Sequence, residues 1–307
     1  MKRVLVAGEI NVDLVLKATG GLPALGKEIL VDDAVLTLGS ASAICAAGLA
    51  RLGTPVSFVG KVGADPWGDY CLRAMGAAGI DVAGVVRDAG LKTGLTVSFT
   101  LPRDRALASY LGAIGALREA DVGEAPLRAA DHLHVSSFFL QEGLRPGCRA
   151  LFARAHAASL TTSLDPGFDP RERWGADIVD ALAEVDLFFP NEVELHAIAG
   201  TADVVEALRR LDNGHTRIVA KRGAEGCLTL EDGEPLAVPA FPAVPVDTTG
   251  AGDSFDAGFL HAWLAGRPLR ECLLWGAACG SLSTRALGGT GHQADHAEAE
   301  RLVASAS

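Results

Sequence analysis

The chain has 307 residues, 49 % of them hydrophobic and 21 % charged, which suits one large α/β domain or two smaller ones with a sizeable core. Its formal net charge of −11 argues against nucleic acid or an anionic membrane as the main partner. The 6 cysteines show no C-x-x-C pair or metal-site spacing, no apolar run is long enough to span a bilayer, and the N-terminus lacks a signal-peptide layout. These features predict a cytoplasmic protein with free, buried thiols.

The order of elements predicts the architecture. A buried strand over 4–7 ends in Gly8-Glu9-Ile10-Asn11-Val12-Asp13. Half-wet β pieces over 14–16 and 28–38 follow, separated by a Gly-Gly-x-Pro turn. A helix over 41–52, a strand over 56–60 and a helix over 67–78 come next. A second β patch runs over 93–101, turns through Pro102 to Asp104 and returns over 107–111. The chain then alternates: strand 132–136, helix 145–159, strand 161–164, helix 178–183, strand 187–189, helices 192–199 and 204–211, strand 217–220. A glycine turn leads to a further strand over 227–230, and helices start near Asp253 and over 269–285. Alternation of this kind predicts a mostly parallel sheet with helices on both faces. The two early β patches, about 14–38 and 93–112, form a small lid, and residues 1–307 make one domain.

Three segments carry chemistry. In Val246-Asp-Thr-Thr-Gly-Ala-Gly-Asp253, small residues precede a carboxylate at the start of an apolar helical run. Gly250, Ala251 and Gly252 let backbone N–H groups approach an anion, and a helix start adds a positive dipole end. An acid set into an anion cradle suits phosphoryl transfer, with Asp253 taking a proton from an attacking hydroxyl; an ordinary N-cap is the plain alternative. Asp13, just past the first strand, lies where open α/β sheets bind ligands and can accept two hydroxyls. Asn191 and Glu194 are three apart on one helix face. The near-match Gly21-Leu-Pro-Ala-Leu-Gly-Lys-Glu28 lacks the hydroxyl and the helix of a phosphate loop and reads as a lid turn. No dinucleotide glycine fingerprint follows the first strand.

The string Val246–Phe259, together with Gly39 to Gly53 and Val59 to Gly68, resembles the two signatures of the ribokinase/PfkB family of carbohydrate kinases. The resemblance spans nearly the whole chain. It implies a ribokinase-like fold, ATP and Mg²⁺ as cofactors, and phosphorylation of a hydroxyl on a sugar-type small molecule with Asp253 as base. It implies substrate contacts from Asn11, Asp13, Gly39 and Ser40. The family's usual second glycine is Ser40 here, and its sugar-binding Asn is Ile44, which cannot hydrogen-bond a hydroxyl. Asn191 and Glu194 resemble the family motif that organises Mg²⁺ and phosphate, through water in the case of Glu194. Lys221, Gly223 and Gly226 resemble its nucleotide loop, with Lys221 toward a phosphate. Thr248, Ala277 and Gly280 complete the nucleotide contacts. Asp247 and Thr249 match positions that hold a monovalent cation, potassium, in ribokinase, with the Gly288–His292 loop beside them. Arg105, at the lid's return turn, faces either substrate or solvent. His134, Asp165 and Asp169 lie at strand ends near the expected cleft, their contacts left open. A homodimer through the lid is implied as well. A nucleoside kinase of the same fold and a non-catalytic ligand sensor are the alternatives.

Overall fold

A computed structural model describes residues 2–101 and 105–306. The expected lid turn at Pro102 to Asp104 lies outside the described residues. Two sheets organise the molecule. The larger has the order β13-β12-β11-β10-β9-β8-β1-β4-β5. From β5 (Asp81–Asp88) through β4 (Val56–Gly63), β1 (Val4–Ala7), β8 (His132–Val135), β9 (Thr161–Leu164) and β10 (Leu187–Phe188) to β11 (Arg217–Lys221), every pairing is parallel. β12 (Cys227–Glu231) and β13 (Glu234–Val238) close that edge antiparallel. The central strands β1 and β8 are buried at every residue, so they read as continuous apolar or hydrogen-bonded runs rather than as alternation.

Two apolar layers cover the sheet. One gathers α1 (Ala41–Arg51), α2 (Pro66–Ala77), α8 (Ala251–Leu264), α9 (Leu269–Ser283) and α10 (His296–Ala304) around Val4, Val6, Phe58, Phe189 and Phe259. The other packs α3 (Glu124–Arg128), α4 (Cys148–Ala157), α5 (Ala176–Leu182), α6 (Glu192–Ala199) and α7 (Val204–Leu211) around Leu5, Phe152, Phe188 and Ile218. The α8–α9 seam is glycine-mediated: a Cβ on Gly258 would stand 2.5 Å from the Trp275 carbonyl, and one on Gly276 would stand 2.8 Å from the Phe255 ring. No helix of the described chain is long and apolar enough to cross a membrane.

The smaller sheet, β3-β2-β6-β7, is the lid. It comprises β2 (Asn11–Lys17), β3 (Asp33–Gly39), β6 (Gly94–Thr100) and β7 (Arg105–Tyr110). Register sorts its side chains. Asp13 pairs with Thr37 and Thr96, Thr96 with Ser109, and Thr100 with Arg105, so these polar groups share one face. Leu14, Leu16, Leu36, Val97 and Phe99 share the other. Val35 pairs with Val15 and lies on the polar side. The strand expected over 28–38 begins only at Asp33, and the helix expected over 145–159 starts as a 3₁₀ turn at Arg145–Gly147. Strands β5 and β13 and helix α10 have no counterpart among the elements expected from the sequence.

Candidate active site

The site forms along the carboxyl ends of β1, β9, β10 and β11, where the lid rises beside the start of α8. Gly250 caps α8 at φ 74°, a left-handed conformation. A Cβ there would be strained and would meet Gly289 Cα at 2.7 Å and Ile44 Cγ2 at 3.0 Å. Gly252 and Asp253 follow in the first turn, so their N–H groups stand at the free, positive end of a fourteen-residue helix. Asp253 is flanked by buried carboxyls. Burial first, then the charge of Asp165, pushes its pKa from the usual carboxylate range to about 7. A base poised near neutrality is suited to accept a hydroxyl proton at physiological pH.

Asp247 fastens the loop before the cradle. Its Oδ1 accepts hydrogen bonds from the Thr249 N–H at 3.0 Å and hydroxyl at 2.9 Å, and its Oδ2 from the Gly288 N–H at 2.8 Å. Asp247 thus ties Thr249 to Gly288. Thr248, exposed, receives a 2.9 Å hydrogen bond from Arg105 Nη1. The lid arginine thus reaches the cradle, and its charge acts on both Asp253 and Asp13.

On the lid, Asn11 Nδ2 donates to Thr96 Oγ1 at 2.8 Å and to Asp13 Oδ1 at 3.2 Å, while Asn11 Oδ1 is buried with no partner. Burial raises Asp13 to about 6. Gly39 is required here, since a Cβ would fall 2.1 Å from Asp13 Oδ1. Ser40 adopts φ 72° and caps α1. That left-handed backbone explains why a glycine is usual at this place, and the Ser40 hydroxyl donates to the Glu9 carbonyl at 2.6 Å. Ile44 is buried, filling the space between Gly250 and Gly289 rather than standing open in the cleft.

Behind the cradle, Asn191 and Glu194 form a reciprocal capping box: Asn191 Oδ1 accepts from the Glu194 N–H at 2.9 Å, and Glu194 Oε2 from the Asn191 N–H at 2.8 Å. The plain N-cap reading of this pair therefore holds, and it does not exclude a ligand role. Burial, then the Asp165 charge, raises Glu194 to about 8.

Lys221 ends β11. It does not project from a nucleotide loop; its Nζ is buried 2.5 Å from Asp165 Oδ2 and 3.1 Å from Asp256 Oδ1. A Cβ on Gly252 would lie 3.3 Å from that Nζ, so the ammonium sits directly beneath the first turn of α8. Burial alone would push Asp165 up, but Lys221 and a hydrogen bond with Asp256 hold it below the usual carboxylate range. Burial pushes Asp256 well up despite Lys221. The Lys221 ammonium thus favours the ionised form of Asp165, while burial favours the protonated form of Asp256. His134 lies within the sheet, Nδ1 on Ser163 Oγ and Nε2 on Ser136 Oγ, both at 2.7 Å, and burial lowers its pKa to about 4. Gly223 is exposed on the loop after β11, whereas Gly226 turns that loop, its absent Cβ clearing the Val238 carbonyl. Ala277 is buried in the α8–α9 seam, and Gly280 backs the Ala251 carbonyl.

Sequence reasoning missed two contributors. Glu9 is buried, accepts from the Ser42 N–H at 3.0 Å and from the Ser42 hydroxyl at 2.5 Å, and is raised by burial to about 7. Asp256, three residues past the base, carries the Lys221 pair. Its position in Asp-Ser-Phe-Asp was the available signal, because i and i+3 share a helix face.

A ligand cleft at the carboxyl edge of a parallel sheet, an acid within a helix-start anion cradle, and a polar lid define a phosphotransferase acting on small hydroxyl compounds. The model of the pfkB family of carbohydrate kinases matches residues 1–295, and the chain belongs to that family. Among its relatives, an ATP-dependent ribose-1-phosphate kinase of Halopiger xanaduensis is 34 % identical over 289 residues, covering 92 % of each chain. A cytidine kinase of Thermococcus kodakarensis is 30 % identical, covering 78 % of this chain and 84 % of its own. The solved structure of Arabidopsis thaliana ribokinase complexed with ribose and ATP superposes with TM-score 0.83 at 25 % identity, covering 98 % of each chain.

Proposed function

We propose that the protein transfers the γ-phosphoryl group of ATP to a hydroxyl of a sugar or a sugar-bearing acceptor, with Asp253 as general base. The observation that carries this is Asp253 in the first turn of α8, faced across the cleft by Asp13 and Arg105 of the lid. Asp13 receives acceptor hydroxyls, with Asn11 fixing its carboxylate. Asp253 removes the attacking hydroxyl's proton as the new O–P bond forms and the bond to the leaving ADP breaks. The N–H groups of Gly250 to Asp253 and the Arg105 guanidinium offset charge on the moving phosphoryl. Closure of the lid excludes water, which would otherwise compete as acceptor.

The donor set fits a divalent cation on the nucleotide side. Asp253 and Glu194 are carboxyls whose pKa values burial has raised, and an adjacent cation would favour their ionised forms. Mg²⁺ would be organised by Asn191 and Glu194 through water, and it would supply charge neutralisation of the phosphates. Asp247 and Thr249 would hold a potassium ion that fixes the cradle loop. The six cysteines are all free and buried, in keeping with a reducing cytoplasm.

Asp253→Asn tests the mechanism. Turnover should fall by about 10²–10⁴-fold while ATP binding, followed by calorimetry, is retained. Near-normal kcat would remove Asp253 from the mechanism. A coupled ADP-release assay with ribose, ribose-1-phosphate, fructose and cytidine separates sugar, sugar-phosphate and nucleoside acceptors. Absence of turnover with every acceptor, alongside tight ligand binding, would favour a sensor.

A further inference from the structure

Parallel strands place their amino ends on the edge opposite the cleft. Three side chains converge there from separate connections. His156 lies in the last turn of α4, Asp186 immediately precedes β10, and His215 precedes β11. His156 Nε2 is 3.2 Å from Asp186 Oδ2, and His215 Nε2 is 3.6 Å from Asp186 Oδ1. One ligand atom from each residue fits within a 4.8 Å span, and the two imidazoles meet edge to face with centroids 6.0 Å apart.

The His156–Asp186 spacing allows a hydrogen bond, but the His215–Asp186 spacing does not, and a shared ion accounts for both. Two ligands on a tetrahedral ion with bonds of about 2.1 Å are separated by about 3.4 Å, which the two observed distances bracket. A separation of 3.6 Å is too long for a hydrogen bond. The surroundings also have the form of a metal site's outer layer. His156 Nδ1 faces Glu184 Oε2 at 3.5 Å, so a carboxylate stands behind the ring on the side away from Asp186. Asp186 Oδ2 accepts from the Thr162 N–H at 2.7 Å, which fixes the carboxylate's aim. Two carboxylates beside the two imidazole rings supply negative charge that favours a dication.

We propose that His156, Asp186 and His215 bind a zinc-like transition-metal ion, with water completing the coordination and Glu184 orienting His156. Imidazole with carboxylate suits Zn²⁺ and its neighbours and does not suit Mg²⁺, which prefers oxygen and its own hydration shell. The ion joins the end of α4 to the starts of β10 and β11. The site is a strand length from the cleft, roughly 15 Å, so its role is to clasp the fold rather than to take part in phosphoryl transfer.

Protein stripped of metal by chelator dialysis should bind one equivalent of Zn²⁺ by calorimetry, and Tm should rise with Zn²⁺ but not with Mg²⁺. His215→Ala, an exposed substitution, should weaken Zn²⁺ at least tenfold, remove the Tm rise and leave kcat without added zinc unchanged. Glu184→Gln should weaken binding by about 10–100-fold. Co²⁺ should give the visible absorption of a low-coordinate nitrogen–oxygen site that is lost in His215→Ala. Absence of binding at micromolar Zn²⁺, or equal affinity in wild type and His215→Ala, would overturn the assignment; the latter would place the ion elsewhere, as would cobalt–thiolate absorption.

Discussion

Lys221→Met separates two roles that a lysine at this position could have. If the ammonium meets an ATP phosphate, its loss raises KM for ATP and leaves the fold intact. The geometry supports the other role. Lys221 is 9 % exposed, its Nζ lies 2.5 Å from Asp165 and 3.1 Å from Asp256, and both acids are buried. Removing one partner of a buried pair leaves an uncompensated charge, a loss of about 3–5 kcal/mol. That is a large share of the roughly 5–15 kcal/mol that holds a domain folded. The loss should depend on pH. Without Lys221, Asp165 loses the cation that kept it ionised and its folded pKa rises above the unfolded value. Stability is then retained at low pH, where Asp165 is protonated, and lost as pH rises through the new folded pKa. Urea unfolding at pH 5 and pH 8 should show Lys221→Met close to wild type in the acid and several kcal/mol weaker in the alkaline solution. Adding Asp165→Asn should restore most of the loss, because the amide oxygen can still accept the Gly167 N–H, which binds Asp165 Oδ1 at 2.8 Å. The double variant should also recover wild-type KM for ATP. A tenfold rise in that KM with unchanged unfolding would refute the buried-clamp account and return Lys221 to the phosphate.

The wild-type protein should itself be more stable at pH 5 than at pH 8. Asp13, Glu9, Asp253 and Glu194 are raised to about 6, 7, 7 and 8, so the folded chain binds extra protons in that window and loses stability as pH rises through those values. One acid moved to about 7 accounts for about 3 kcal/mol between the two pH values, and a flat profile would contradict the assignment. Rates in potassium should exceed those in a bulky organic cation at equal ionic strength if an ion sits by Asp247 and Thr249; equal rates would remove it. The lid should pair between two chains, because Leu25, Leu30, Leu36 and Tyr110 are exposed at 103 %, 90 %, 38 % and 54 % on a thin sheet and the loop entering it. A monomer in light scattering at micromolar concentration would sink that expectation.

How much of this was legible depended on whether the signal was local. The cradle was readable because a helix start, small residues and an acid are contiguous, and the left-handed backbone at Gly250 needs only its own residue type. The lid was readable from two half-wet β patches, but not the side of the sheet on which Val35 lies, because one residue of register decides that. The surroundings of His134 and Lys221 were not legible, for a shared reason. Each ends or nearly ends a strand at the cleft edge, where a polar residue reads as a ligand contact. Each is instead satisfied by partners distant in sequence, Ser163 for the histidine and Asp165 and Asp256 for the lysine. A buried cation is tolerated only with such partners, and a sequence does not show which carboxylates will meet it. The same partners give the site its character. Asp165 raises the proton affinity of Asp253 and Glu194, and Lys221 opposes it. Burial contributes the largest share of the rise at Asp253, so these charges beneath the first turn of α8 adjust a value that burial has already brought toward neutrality.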